Sequence, residues 1–174
     1  MKKFLKIAAL ALAAVLALGI FAACDKEQDG GSDNDSEGET KVNVYAIKAG
    51  DVTVELGKKA DATVKKLGTP VNQQNTGNCG GLGETIRYEY GSFVLVVVDY
   101  EDGDMIIDQI ELKNDGAETS KGIYIGSSEA DVKSKYGEPD EKQGSAYVYE
   151  DNGKRLEIGI TDGSVSSIVF LCVD

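Results

Sequence analysis

The chain has 174 residues but no histidine and no tryptophan, and only two prolines, two methionines and three cysteines. Without histidine, the commonest general base at neutral pH and the commonest metal ligand are both missing. Nucleophilic catalysis by Ser or Cys then has no obvious base. Cations are also scarce. There are 18 Lys and Arg against 30 Asp and Glu, for a formal charge of −12. Lys2, Lys3 and Lys6 lie in a leader free of acidic residues, so the remainder stands at −15. Such a surface excludes nucleic acid as a partner, because phosphates require Lys and Arg. It also argues against peripheral attraction to anionic lipid.

What is present begins with an address. A basic start, Met1-Lys2-Lys3-Phe4-Leu5-Lys6, runs into residues 7–23, which are apolar apart from Gly19 and end on Ala22-Ala23 before Cys24. This is the pattern of a secretory signal peptide over 1–23, and 17 residues is at the short limit for a membrane span. Residues 25–41 hold seven acidic residues and no aliphatic one. That composition cannot bury enough apolar area to offset chain entropy, so 24–41 is expected to be a disordered acidic tether. The expected folded units are 42–121 and 122–174.

The folded part is organised around one sentence spoken twice. Gly126-Ser127-Ser128 leads through Asp131-Val132 to Tyr136-Gly137-Glu138-Pro139. Ser128 suits an N-cap with Asp131 as its acidic partner. Val132 and Tyr136 share one helix face. Gly137 suits the left-handed position beyond the helix, and Pro139 forbids continuation. Gly57 to Pro70 repeats this spacing. Helices are predicted over 60–67 and 129–136. Strands are predicted over 42–48, 52–56, 85–90, 93–98, 106–112, 147–149, 155–160 and 165–173. Hairpin turns are expected at Asp102-Gly103, Asn152-Gly153 and Asp162-Gly163. Residues 72–83, rich in Asn and Gly around Cys79, read as a loop, and 114–120 as a polar connector. The predicted class is α+β: two tandem αβββ repeats forming one antiparallel sheet with two helices on one face. The apolar runs at 93–98 and 168–173 suit interior strands of that sheet.

The pattern Gly-x-Ser-x-x-Asp-Val-x-x-x-Tyr-Gly-x-Pro, ahead of a strand meander and after a Phe-Ala-Ala-Cys motif, resembles the repeats of beta-lactamase-inhibitor-like lipoproteins. The stretch 53–170 is similar to uncharacterised lipoproteins of anaerobic Gram-positive bacteria, in which an Asn/Ser-Cys loop precedes a Tyr-x-Tyr strand, as Asn78-Cys79 precedes Tyr88-Glu89-Tyr90 here. Phe-Ala-Ala-Cys resembles a lipobox, which implies diacylglyceryl modification of Cys24 and a place on the outer face of the cytoplasmic membrane.

No residue set points to a catalytic centre, a metal or a cofactor. Asp99 to Asp104 fails the register of an EF-hand, because Gly103 falls at position 5 and not 6. The Ser127/Lys133 and Ser134/Lys135 pairs are expected on an exposed helix. Two features remain. Tyr88 and Tyr90 share a strand face, as do Tyr147 and Tyr149. They either pack against the helices or form an aromatic binding platform on the open sheet face. Cys79 and Cys172, in an oxidising compartment, either pair as a disulfide joining the two units or are separate thiols. The functional expectation is a membrane-anchored surface lipoprotein that binds a protein or peptide partner, with inhibition of an enzyme as one form. An envelope assembly factor and a hydrolase are the alternatives.

Overall fold

A computed structural model describes residues 43–77, 83–99 and 103–173. The signal segment, the acidic stretch, Cys24 and Cys79 lie outside the described residues. Two short strands come first, β1 (Ala46–Ala49) and β2 (Val52–Glu55), and then α1 (Asp61–Leu67). Four strands follow: β3 (Asn72–Thr76), β4 (Glu84–Glu89), β5 (Phe93–Asp99) and β6 (Met105–Leu112). The two-residue β7 (Glu118–Thr119) leads to α2 (Glu129–Tyr136). Four more strands close the chain: β8 (Glu141–Gln143), β9 (Ala146–Asp151), β10 (Lys154–Thr161) and β11 (Ser164–Cys172).

The strands make two antiparallel sheets. The larger has eight strands in the order β3-β4-β5-β6-β11-β10-β9-β8, and the smaller has three in the order β2-β1-β7. The fold is thus α+β and antiparallel, with β11 at the centre of the large sheet and β5 inside it, where their two-sided apolar character requires burial. The strand count differs from the expectation. Each helix is followed by four strands, not three, and the segment 72–83 opens with β3. The two unforeseen strands, Asn-Gln-Gln-Asn-Thr and Glu-Lys-Gln, are exposed at every residue. As sheet edges they have no buried face, so they carry no alternation to read. The polar connector likewise contributes β7, which pairs with β1 at Lys48↔Glu118 and Ile47↔Thr119. The first strand starts at Ala46, four residues later than expected.

Turn chemistry explains the second meander. Asn152 and Gly153 both have positive φ, 50° and 70°, as do Asp162 and Gly163, 51° and 74°. Positive φ at both central residues is the type I′ hairpin, which Asn-Gly and Asp-Gly favour. At Asp102-Gly103 only Gly103 is described, with φ 83°. Both helices end alike. Gly68 (φ 76°, ψ −154°) donates to Val64 O, and Gly137 (φ 83°, ψ −166°) donates to Lys133 O. This is not the left-handed helical well expected from the sequence but an extended positive-φ region open essentially to glycine alone. The starts differ. Ser128 Oγ accepts from Asp131 N–H at 3.1 Å, whereas Ala60 offers α1 no side-chain cap. Ala60 is instead a fully buried core residue.

One core joins these parts. The large sheet contributes Tyr88, Leu95, Val97, Ile107, Ile110, Tyr147, Tyr149, Leu156, Ile158, Ile168 and Phe170, while the small sheet contributes Ile47 and Val54, with Leu56 just beyond β2. Val132 of α2 lies within the same cluster, and Val64 and Leu67 of α1 pack against it. Strand side chains alternate between faces, so these sheet residues mark one face. Both helices and the small sheet therefore cover that face, and among the described residues the opposite face carries no helix.

Candidate functional site

Tyr88, Tyr147 and Tyr149 fall on the covered face and are buried, and Tyr90 packs against the same core. They do not form a platform on the open face. The physical reason is parity: each aligns with core neighbours, Tyr88 with Leu95, Tyr147 with Ile158 and Tyr149 with Leu156. Their polar ends meet the structure on that side. Tyr147 Oη donates to Glu129 Oε1, and Tyr149 Oη donates to Gly137 O at 3.1 Å. The Tyr149 ring lies 5.3 Å from that of Tyr136, and Tyr90 stacks on Phe93 at 4.9 Å. Burial pushes the phenols of Tyr149, Tyr136 and Tyr45 up to about 12.

The open face was not legible in sequence because it is assembled across strands. Register gives it one row that runs Glu89, Val94, Glu111, Val169, Glu157, Val148, Glu141, one residue from each of seven successive strands. Carboxylate and valine alternate without exception. The adjacent row runs Arg87, Val96, Gln109, Leu171, Arg155, Glu150. Arg87 reaches Glu89 at 3.3 Å and, over β5, Glu111 at 3.5 Å, which Lys113 also meets at 3.1 Å. Arg155 pairs with Glu150 and lies 3.4 Å from Glu157. These pairs are partly exposed, so solvent screens them and they add little to stability. Val94 and Val148, on the side away from the helices, are 2% and 1% exposed, and each stands in register between two glutamates of neighbouring strands. Val96, Val98, Val169 and Leu171 stay half-buried.

The other predicted positions are placed as follows. Cys172 is a free thiol at the end of β11, with Sγ 3.9 Å from Ile107 O. Burial, with Asp108 nearby, holds its pKa above the usual thiol value. Cys79, its possible disulfide partner, is outside the described residues. Ser127 is buried and its Oγ accepts from Tyr124 N–H at 3.0 Å. Lys133 is paired with Glu129 at 2.9 Å, an i,i+4 contact. The hydrogen bond from Tyr147 and the pairing with Lys133 hold the Glu129 carboxyl below its ordinary value. Among the described residues, no group of three or more Asp, Glu and Cys is arranged to hold a metal ion, and no helix is long and apolar enough to cross a membrane.

Comparison with known proteins places this arrangement in no established group. No protein-family model matches the chain, and no curated protein does. Among solved structures, a cysteine-rich secretory protein of Staphylococcus aureus aligns at 13% identity with a TM-score of 0.30, over 67% of this chain and 44% of that one. The chain thus spans less than half the length of that structure, and a likeness this slight carries no argument about fold or activity.

Proposed function

We propose that this is a lipoprotein, anchored through Cys24 on the outer face of the cytoplasmic membrane, whose helix-free sheet face binds a protein or peptide partner and carries out no catalysis. The observation that carries the reading is that face. It presents half-buried Val96, Val98, Val169 and Leu171 between ribs of glutamate, on a chain of charge −12. Such a surface suits a partner that offers aliphatic side chains flanked by Lys or Arg, since charge complementarity steers encounter and apolar contact adds affinity. The resemblance to beta-lactamase-inhibitor-like lipoproteins fits binding by a sheet face, and inhibition is one form such binding would take.

The same reading treats the chain as two copies of one unit. Each has a short helix closed by Gly in the same unusual conformation, followed by a four-stranded meander. The meanders meet side by side at β6 and β11, the last strand of each. Tyr88 and Tyr147 then occupy second strands of their units.

Capture tests the reading. Val96→Lys and Leu171→Lys place charge on half-exposed positions and should leave folding intact. An envelope protein retained by the wild-type chain and lost from both variants supports the sheet face. Equal retention by wild type and variants, with unchanged melting, removes it. Turnover of a generic ester or peptide substrate by the pure protein removes the non-catalytic reading.

A further inference from the structure

The large sheet ends on two unlike edges. β8 is three residues long and charged, Glu141-Lys142-Gln143. Short length and charge are devices by which proteins blunt an open edge. β3 has neither. Its five residues, Asn72-Gln73-Gln74-Asn75-Thr76, are all exposed and include no charge and no proline. Its register on β4 runs without a bulge from Asn72↔Glu89 to Thr76↔Thr85. An edge of this kind offers a row of backbone N–H and C=O groups to another strand. Nearby carboxylates are capped from within: Asn72 donates to Glu89 at 3.5 Å and Asn75 to Glu84 at 3.0 Å.

We propose that β3 is a self-pairing edge, through which two copies of this chain join antiparallel about a twofold axis at Gln74 and continue the sheet from one copy into the other. Charge selects the occupant. Two molecules of net charge −12 repel, and a twofold contact sets each patch against itself. The contact therefore has to be one whose own residues do not repel. Pairing about Gln74 sets Asn72 opposite Thr76, Gln73 opposite Asn75, and Gln74 opposite its own copy. Every pair is neutral and can both donate and accept hydrogen bonds, and stacked Asn and Gln amides add to such ladders. One step further out, Val71 falls opposite Gly77. Val71 is 81% exposed, the more exposed of the two large apolar side chains that stand out on the described surface. Among the described residues nothing lies within 4 Å of where a Gly77 Cβ would lie, which leaves room for Val71.

Sedimentation of the full chain in detergent decides it. The wild type should reach dimer as concentration rises. Gln74→Glu alone and Gln74→Lys alone each oppose like charges across the axis, and each should weaken the dimer about tenfold or more. An equimolar mixture of the two should restore it, which a folding defect could not do. Gln143→Glu on β8 should leave the wild-type dimer unchanged. A wild type that stays monomeric up to its solubility limit overturns the proposal. So does a dimer indifferent to charge at position 74, as shared detergent micelles or a different interface would give, or an equal loss from Gln143→Glu.

Discussion

Phe170 on β11 stands directly opposite Ile110 on β6, and both side chains are fully buried. This pair sits on the seam where the two four-stranded groups become one sheet. The seam is paired over only four positions, from Ile168↔Leu112 to Leu171↔Gln109, so its apolar contacts carry much of the joint.

Phe170→Ala should therefore lower unfolding free energy by about 3–5 kcal/mol, and Ile110→Ala by about 2–5 kcal/mol. Because the two residues stand opposite each other in one core cluster, the double variant should depart from additivity by about 0.5–3 kcal/mol. Urea denaturation of the four proteins measures this. A loss below about 1 kcal/mol at both sites would mean the seam does not hold the halves together.

Ser128 caps α2 with its hydroxyl on Asp131 N–H. Ser128→Ala should cost about 0.5–2 kcal/mol, and Ser128→Gly only a few tenths. Thermal melts of the two variants make the comparison. Both variants lack the hydroxyl, so an Ala variant as stable as the wild type would show that the cap hydrogen bond contributes nothing.

Alkali should unfold the protein through its tyrosines. Burial holds Tyr149, Tyr136 and Tyr45 at about 12, against an ordinary phenol value of 10.0. Between those values the unfolded chain has lost phenolic protons that the folded chain keeps, so stability is intact below pH 10 and falls as pH rises toward 12. Absorbance titration at the phenolate band should show a late-titrating group of tyrosines that shifts down in denaturant. All phenols ionising together near 10 in the folded protein would contradict the assignment.

Cys24 is expected to carry the anchor. Cys24→Ala should abolish metabolic labelling with palmitate and should release the chain from the membrane or leave it unprocessed. Labelling and membrane retention that survive the substitution would remove the lipoprotein reading.

The thiol of Cys172 is half-buried and its pKa is raised, so little reactive thiolate is present at neutral pH. In a Cys24→Ala, Cys79→Ala background, its alkylation at pH 7 should be much slower than that of free cysteine and should become fast in denaturant. Rapid native-state reaction would show an accessible thiol. A mass lower by two hydrogen atoms in the chain with Cys79 intact would show the bridge that the sequence leaves open.

Much of this molecule was legible in its residues. The second helix was readable to the residue, because Ser128, Gly137 and Pro139 are local signals that need no partner. The Asn152-Gly153 and Asp162-Gly163 turns were readable for the same reason: dihedral preference belongs to the residues themselves. Interior strands β5 and β11 declared themselves through apolar side chains on both faces. Only the tertiary structure decided the rest. Edge strands β3 and β8 have no buried face and so no pattern, and they exist because a neighbour supplies their hydrogen bonds. The tyrosine pairs were correctly grouped by alternation, yet alternation cannot say which of two faces the helices will cover. The Glu–Val row from Glu89 to Glu141 draws on residues from distant parts of the chain, and strand register alone brings them into line.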